Sequence, residues 1–261
     1  MSTISGVFRL GHKAPRKGLI AYVTTGYPTM AATLEVVPLL AELGCDVVEL
    51  GIPFSDPLAD GATIQKASFE SLQNGTTPEA CLKVAAEIHR KAAVPLVFMT
   101  YYNPVFSYGV ERFAADCAAA GVSGLIVPDL PPEEGGALDA ATLKHDIDLI
   151  DLLAPTSTPE RVKLVAGHSR GFIYLVSVTG VTGARRELSQ DLGDFVARVR
   201  AVARQPLCVG FGISTPEQAR QVGQLADGVI VGSRLIQLME APDWQASVRS
   251  FITSLRKALD A

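Results

Sequence analysis

Short apolar runs alternate with longer amphipathic stretches along almost the whole chain. The runs at 19–24, 46–50, 96–100, 124–127, 148–153, 172–176, 207–210 and 228–232 are rich in Val, Ile and Leu. Most are continuously apolar rather than alternating, the pattern of parallel strands covered on both faces. Between them, apolar positions recur at helical spacing over 29–43, 78–91, 110–120, 133–143, 159–166, 192–204, 216–225 and 244–259. Three of these helices open on Thr-Pro-Glu, at Thr77, Thr158 and Thr215, which supplies an N-cap hydroxyl, a proline at the first helical position and an acid in the first turn. Gly44 and Gly121 follow two helix ends, where a left-handed residue commonly closes the last turn. Pro38 lies inside the first helical stretch and predicts a kink or an early end there.

Eight β-α units in this length predict one α/β domain over residues 1–261, a single (β/α)8 TIM barrel with parallel strands and extra helices. A doubly wound open sheet is the competing architecture. It carries its glycine fingerprint at the first strand-to-helix turn, where this chain has Thr24-Thr25-Gly26-Tyr27-Pro28-Thr29 instead. The barrel is therefore preferred.

Composition narrows the function classes. An apolar share of 48% against 19% charged residues is that of a compact globule rather than a disordered chain. A net charge of -4 without any basic run argues against nucleic acid as a partner. No window approaches the roughly 18 apolar residues of a membrane helix, and the N-terminus lacks the apolar core of a secretory signal; the expectation is a cytoplasmic protein. Cys45, Cys81, Cys117 and Cys208 are far apart in apolar surroundings, which reads as buried free thiols rather than as a metal site or disulfide framework. His12, His89, His145 and His168 show no ligand spacing, so neither a catalytic histidine nor a metal centre is expected.

Candidate chemistry concentrates after the second strand. Glu49 is set among Val47, Val48 and Leu50, and a carboxylate buried without a cation has its pKa raised toward the range where one group both donates and accepts protons. Eleven positions on, Asp60 lies in a long loop shaped by Pro53, Pro57 and Gly61. Two carboxylates in different surroundings can take different protonation roles. A structural ion pair for Glu49 stays open as the alternative, and a turn-forming role is the default for Asp56, just before Pro57.

The late loops carry a different signal. Gly210-Phe211-Gly212-Ile213 follows the seventh strand and Gly232-Ser233 the eighth, the usual phosphate position of this fold, where glycine lets an anion approach backbone N–H groups. The loop after the sixth strand holds Thr179-Gly180-Val181-Thr182-Gly183-Ala184-Arg185-Arg186, suited to a mobile lid or to another wall of the phosphate pocket; its arginines are equally readable as solvated surface charge. Tyr174 is readable either as a phenol in the barrel mouth or as a core residue.

The run Glu-Leu-Gly-Ile-Pro-Phe-Ser-Asp-Pro-Leu-Ala-Asp-Gly from Glu49 to Gly61 resembles the signature of the tryptophan synthase alpha chain family. The likeness continues through Tyr101-x-Asn103-Pro104, Val127-Pro128-Asp129-Leu130-Pro131, Gly180-Val181-Thr182-Gly183, Gly210-Phe211-Gly212-Ile213 and Val231-Gly232-Ser233. What the resemblance implies is retro-aldol cleavage of indole-3-glycerol phosphate to indole and glyceraldehyde 3-phosphate, with no cofactor in this chain. It implies Glu49 as general acid/base, Asp60 as the partner of the indole N–H, and Tyr174 beside the glycerol moiety. Phosphate contacts fall to Gly183, Gly212, Gly232 and Ser233. Tyr22, Met99, Tyr101, Phe211 and Ile213 line or adjoin the indole slot, and Thr182 is a lid residue orienting Asp60. Tyr22 and Met99 stand where many relatives have Phe and Leu, and Val178 where some have Arg; the segment before Leu19 is less clearly helical than the family's capping helix. The partner implied is a beta chain carrying pyridoxal phosphate, in an α2β2 complex. A free-standing lyase, a chiefly regulatory phosphate-binding subunit and a sugar-phosphate isomerase are the competing readings, the last leaving the acidic loop unexplained.

Overall fold

The computed structural model describes residues 3–8, 16–177, 188–210 and 212–261. The elements run α1 (Thr3–Val7), β1 (Gly18–Thr24), α2 (Met30–Glu42), β2 (Val47–Gly51), α3 (Ala62–Gln73), α4 (Pro78–Lys91), β3 (Leu96–Met99), α5 (Tyr102–Tyr108), α6 (Val110–Ala119), β4 (Val122–Ile126), α7 (Gly136–Lys144), β5 (Asp148–Ile150), β6 (Leu152–Leu153), α8 (Pro159–His168), β7 (Ile173–Val176), α9 (Leu188–Arg200), β8 (Leu207–Gly210), α10 (Pro216–Leu225), β9 (Gly228–Val231), α11 (Ser233–Leu238) and α12 (Trp244–Asp260). All strand pairs are parallel, in the order β5-β4-β3-β2-β1-β9-β8-β7-β6. The two ends of that order, β5 and β6, are one run of chain interrupted at Asp151, so the sheet returns on itself as the predicted (β/α)8 barrel. Its fifth strand is split because Asp151 is used locally: its N–H donates to Ser169 Oγ at 3.0 Å and its carboxylate lies 2.7 Å from His168 Nδ1.

Period-two alternation sends alternate residues to opposite faces of each strand. Ile20, Tyr22, Val47, Val97, Met99, Ile126, Ile150, Phe172, Tyr174, Cys208 and Ile230 form the interior cluster, and the intervening positions pack outward against the helices. The Thr-Pro-Glu starts behave as the sequence predicts: Thr77, Thr158 and Thr215 each accept from the N–H three residues on. Gly44 and Gly121 close helix ends with φ of 87° and 78°. Of the kink or early end expected at Pro38, the early end does not occur: helix α2 runs on to Glu42, its buried face of Val36, Val37 and Leu40 outweighing one missing hydrogen bond. The segment before the first strand holds one short helix of 5 residues, with Ile4 fully buried beneath Gly124 and Gly171. The four cysteines are free and buried, and among the described residues no helix is long and apolar enough to cross a membrane.

At the N-terminal end of the strands, Arg256 of α12, 8% exposed, donates to Asp46 at 3.1 Å and to Asp260 at 2.6 Å. The same Asp46 oxygen accepts the Leu19 N–H at 2.8 Å. Arg256→Ala is expected to lower stability by about 2 kcal/mol, since it strips a nearly buried carboxylate of one partner while Arg16 remains. A urea midpoint unchanged from wild type would contradict this.

Candidate active site

Parallel register sets the acid beside an aromatic. Glu49 pairs with Tyr22 on β1 and with Val97 on β3. It is 0% exposed, and neither carboxylate oxygen has a hydrogen-bond partner among the described residues. Burial pushes its pKa up from 4.5 to about 8, because removing water penalises the charged form and no cation among the described residues compensates. Among the described residues the ion-pair alternative for Glu49 finds no partner.

Two positions later on the same face, Gly51 makes room for Tyr22: a Cβ there would fall 2.1 Å from the phenol oxygen. Gly210 does the same for Tyr174, at 2.2 Å. Both phenols have their pKa raised by burial and stay neutral. Gly210→Ala must therefore push the Tyr174 ring into the cavity it borders. The expected result is a drop of about tenfold or more in kcat/KM with folding retained, since small displacements of binding groups carry large kinetic costs; wild-type kinetics would refute the contact's importance.

A cavity of about 320 Å³ opens at the C-terminal ends of the strands. Tyr22, Met99, Tyr174, Ile64 and Ile230 supply apolar and aromatic wall, Asp60 an acidic rim, and Gly212, Ile213, Ser214, Gly232, Ser233, Arg234 and Gln237 the remainder. Glu49 lies on the interior face next to Tyr22 and does not itself line the cavity. Asp60 accepts from Tyr101 Oη at 3.1 Å; burial raises its pKa to about 6, and the Tyr101 hydrogen bond opposes that rise. Gly212 sits at φ 80°, a conformation L side chains rarely adopt.

The predicted residues Tyr22, Asp60, Met99, Tyr174, Gly212, Ile213, Gly232 and Ser233 thus meet around one cavity. Tyr101 stands behind Asp60 rather than in the wall. Thr182, Gly183 and Phe211, with Val178 and the rest of the 179–186 loop, lie outside the described residues. Asp56 is exposed and takes a hydrogen bond from Ser55 Oγ, the local loop role expected of it. Sequence reasoning missed Ile64, Ser214, Ile230, Arg234 and Gln237. Ile230 was readable from alternation between Gly228 and Gly232; Ile64 was not, because α3 starts at Ala62 behind Gly61, without a side-chain cap. His89, His145 and His168 stay away from the cavity, and the described residues hold no cluster of His, Cys, Asp and Glu able to bind a metal.

The family model described as "Tryptophan synthase alpha chain" matches residues 8–259. The chain belongs to the tryptophan synthase alpha chain family. It is 58% identical over 260 residues to the tryptophan synthase alpha chain of Dehalococcoides mccartyi, covering 100% of both chains. Against that of Geobacter sulfurreducens it is 48% identical, covering 99% of each. Among solved structures, Mycobacterium tuberculosis tryptophan synthase superposes with a TM-score of 0.92 at 41% identity, over 100% of this chain and 99% of that one. The resemblance carried by the Glu49-to-Gly61 run therefore extends to fold and full length, and the tryptophan synthase alpha chain barrel is the frame in which the cavity sits.

Proposed function

We propose that this chain cleaves indole-3-glycerol phosphate by a retro-aldol reaction, releasing indole and glyceraldehyde 3-phosphate, as the alpha partner of a beta chain. The observation that carries the reading is Glu49: a fully buried carboxyl with no partner among the described residues, beside a cavity whose rim holds a second acid. Indole is a poor carbanion leaving group, so the ring carbon bearing the side chain must first gain a proton. With a pKa of about 8, Glu49 is mostly protonated at neutral pH and can give it. The resulting carboxylate then takes the proton of the neighbouring side-chain hydroxyl as the C–C bond breaks. The bond's electron pair returns to the ring, the new carbonyl leaves as the aldehyde, and Glu49 is neutral again. Asp60, ionised above about pH 6, accepts the indole N–H and stabilises the positive charge developing on that nitrogen.

The phosphate is assigned to Gly212, Gly232 and Ser233, joined by Gly183, with Phe211 and Thr182 as further substrate contacts in the family pattern. Arg234 is the one cation lining the cavity among the described residues. Arg234→Ala is expected to raise KM roughly tenfold or more with kcat little changed, the size of a lost charged hydrogen bond. An unaltered KM would remove Arg234 from the site.

Leu58, 91% exposed on the loop that carries Asp60, and Phe106, 66% exposed on α5, are large apolar side chains in water. They favour a beta chain covering that face over a free-standing lyase. This chain would need no cofactor of its own; pyridoxal phosphate would belong to the beta chain. Indole release from indole-3-glycerol phosphate, measured with and without a beta chain, tests the whole reading. Strong activation supports the subunit role, equal rates favour a free-standing enzyme, and no indole in either case refutes the lyase.

A further inference from the structure

We infer that Tyr101 is a positioning residue for Asp60, holding that carboxylate through a fixed phenol rather than by touching substrate. The inference rests on the proposed lyase reading, whose cavity it refines. Tyr101 is 4% exposed and absent from the cavity wall, yet its hydroxyl makes two contacts with consecutive residues of the acidic loop. It accepts the Ala59 N–H at 2.9 Å and donates to Asp60 Oδ2 at 3.1 Å. The first bond fixes the direction of the second. With a lone pair taken by Ala59, the phenol proton is turned toward the carboxylate.

The ring is held as firmly as the hydroxyl. It packs on Phe54 of the same loop, centroids 5.3 Å apart at 30°. Its main chain is anchored one residue on, where the Tyr102 N–H donates to both Asp129 oxygens, at 2.9 and 3.2 Å. Asp129 belongs to the loop after β4, so three strand-end loops converge on one acid: Phe54 to Asp60, Tyr101 to Tyr102, and Asp129. On the other side of Asp60, Gln65 Nε2 on α3 donates to its carbonyl at 2.8 Å. Among the described residues no donor reaches Asp60 Oδ1. A hydrogen bond to the charged form favours ionisation, so the phenol works against burial and keeps Asp60 a carboxylate near neutrality.

The test is Tyr101→Phe in the full chain, which keeps the ring against Phe54 and removes only the hydroxyl. A carboxyl-carbon NMR titration should show Asp60 titrating at higher pH than its wild-type value of about 6, because the hydrogen bond that opposes burial is gone. The acid limb of kcat/KM for indole release should move with it, and kcat/KM at neutral pH should fall about tenfold. In an Asp60→Asn background the same substitution should change kcat/KM less than twofold, since its route of action is gone. An unmoved Asp60 titration, or two substitutions whose losses multiply, overturns the inference. A wild-type chain that releases no indole would instead refute the lyase reading, and the NMR titration would still decide the Tyr101 assignment.

Discussion

Glu49→Gln is expected to reduce indole release by about a thousandfold while leaving the protein folded and, at alkaline pH, more stable than wild type. The kinetic half follows from the chemistry assigned to one side chain, which must give a proton and take another back; a carboxamide does neither, and positioned acid-base groups contribute about 10²–10⁴-fold. The stability half follows from burial. The folded pKa of Glu49 lies near 8 against an ordinary 4.5, so the unfolded chain releases this proton long before the folded one does. Stability from this group is full below pH 4.5 and is lost progressively as pH rises to about 8, by an amount on the order of 4 kcal/mol. The carboxamide has nothing to ionise, so the variant escapes that loss. Urea midpoints at pH 5.5 and 8.5 should diverge between the two proteins, the variant gaining at the higher pH. Parallel midpoints at both values would mean that Glu49 is not buried as an uncompensated acid.

That trade explains why the strand could be read so far in advance. A glutamate inside an otherwise apolar parallel strand is locally inconsistent, and such inconsistency concentrates at functional sites. Barrel strands were legible because burial on both faces leaves continuous apolar runs, and the three capped helices because Thr-Pro-Glu acts within one turn. What escaped depends on partners distant in sequence. Helix α11 begins at Ser233 behind Gly232, with no side-chain cap to mark it, so Arg234 and Gln237 carried no local sign of facing the cavity. The break at Asp151 arises from His168 and Ser169, seventeen and eighteen residues on. Only the resemblance points to Tyr101 as lining or adjoining the indole slot; that its hydroxyl meets Asp60 is decided by where the acidic loop folds back, which no local pattern encodes.

The two acids should separate cleanly in pH. On the proposed mechanism Asp60 has to be ionised to pair with the indole N–H and oppose the charge building on nitrogen, whereas Glu49 has to enter the reaction protonated. With pKa values of about 6 and about 8, kcat/KM should rise through pH 6, hold across neutrality and fall through pH 8. Asp60→Asn keeps the shape, and its carboxamide oxygen can still accept the N–H, so binding should survive better than turnover. What is lost is a full negative charge facing a cation that exists only beyond the ground state, and removing one such electrostatic contact costs about 10²–10³-fold. The loss should fall mainly on kcat. The acid limb near pH 6 should vanish in the variant while the alkaline limb near pH 8 persists, because Glu49 is untouched. If the acid limb survives in Asp60→Asn, some other group titrates there and Asp60 is not the carboxylate that the reaction requires ionised.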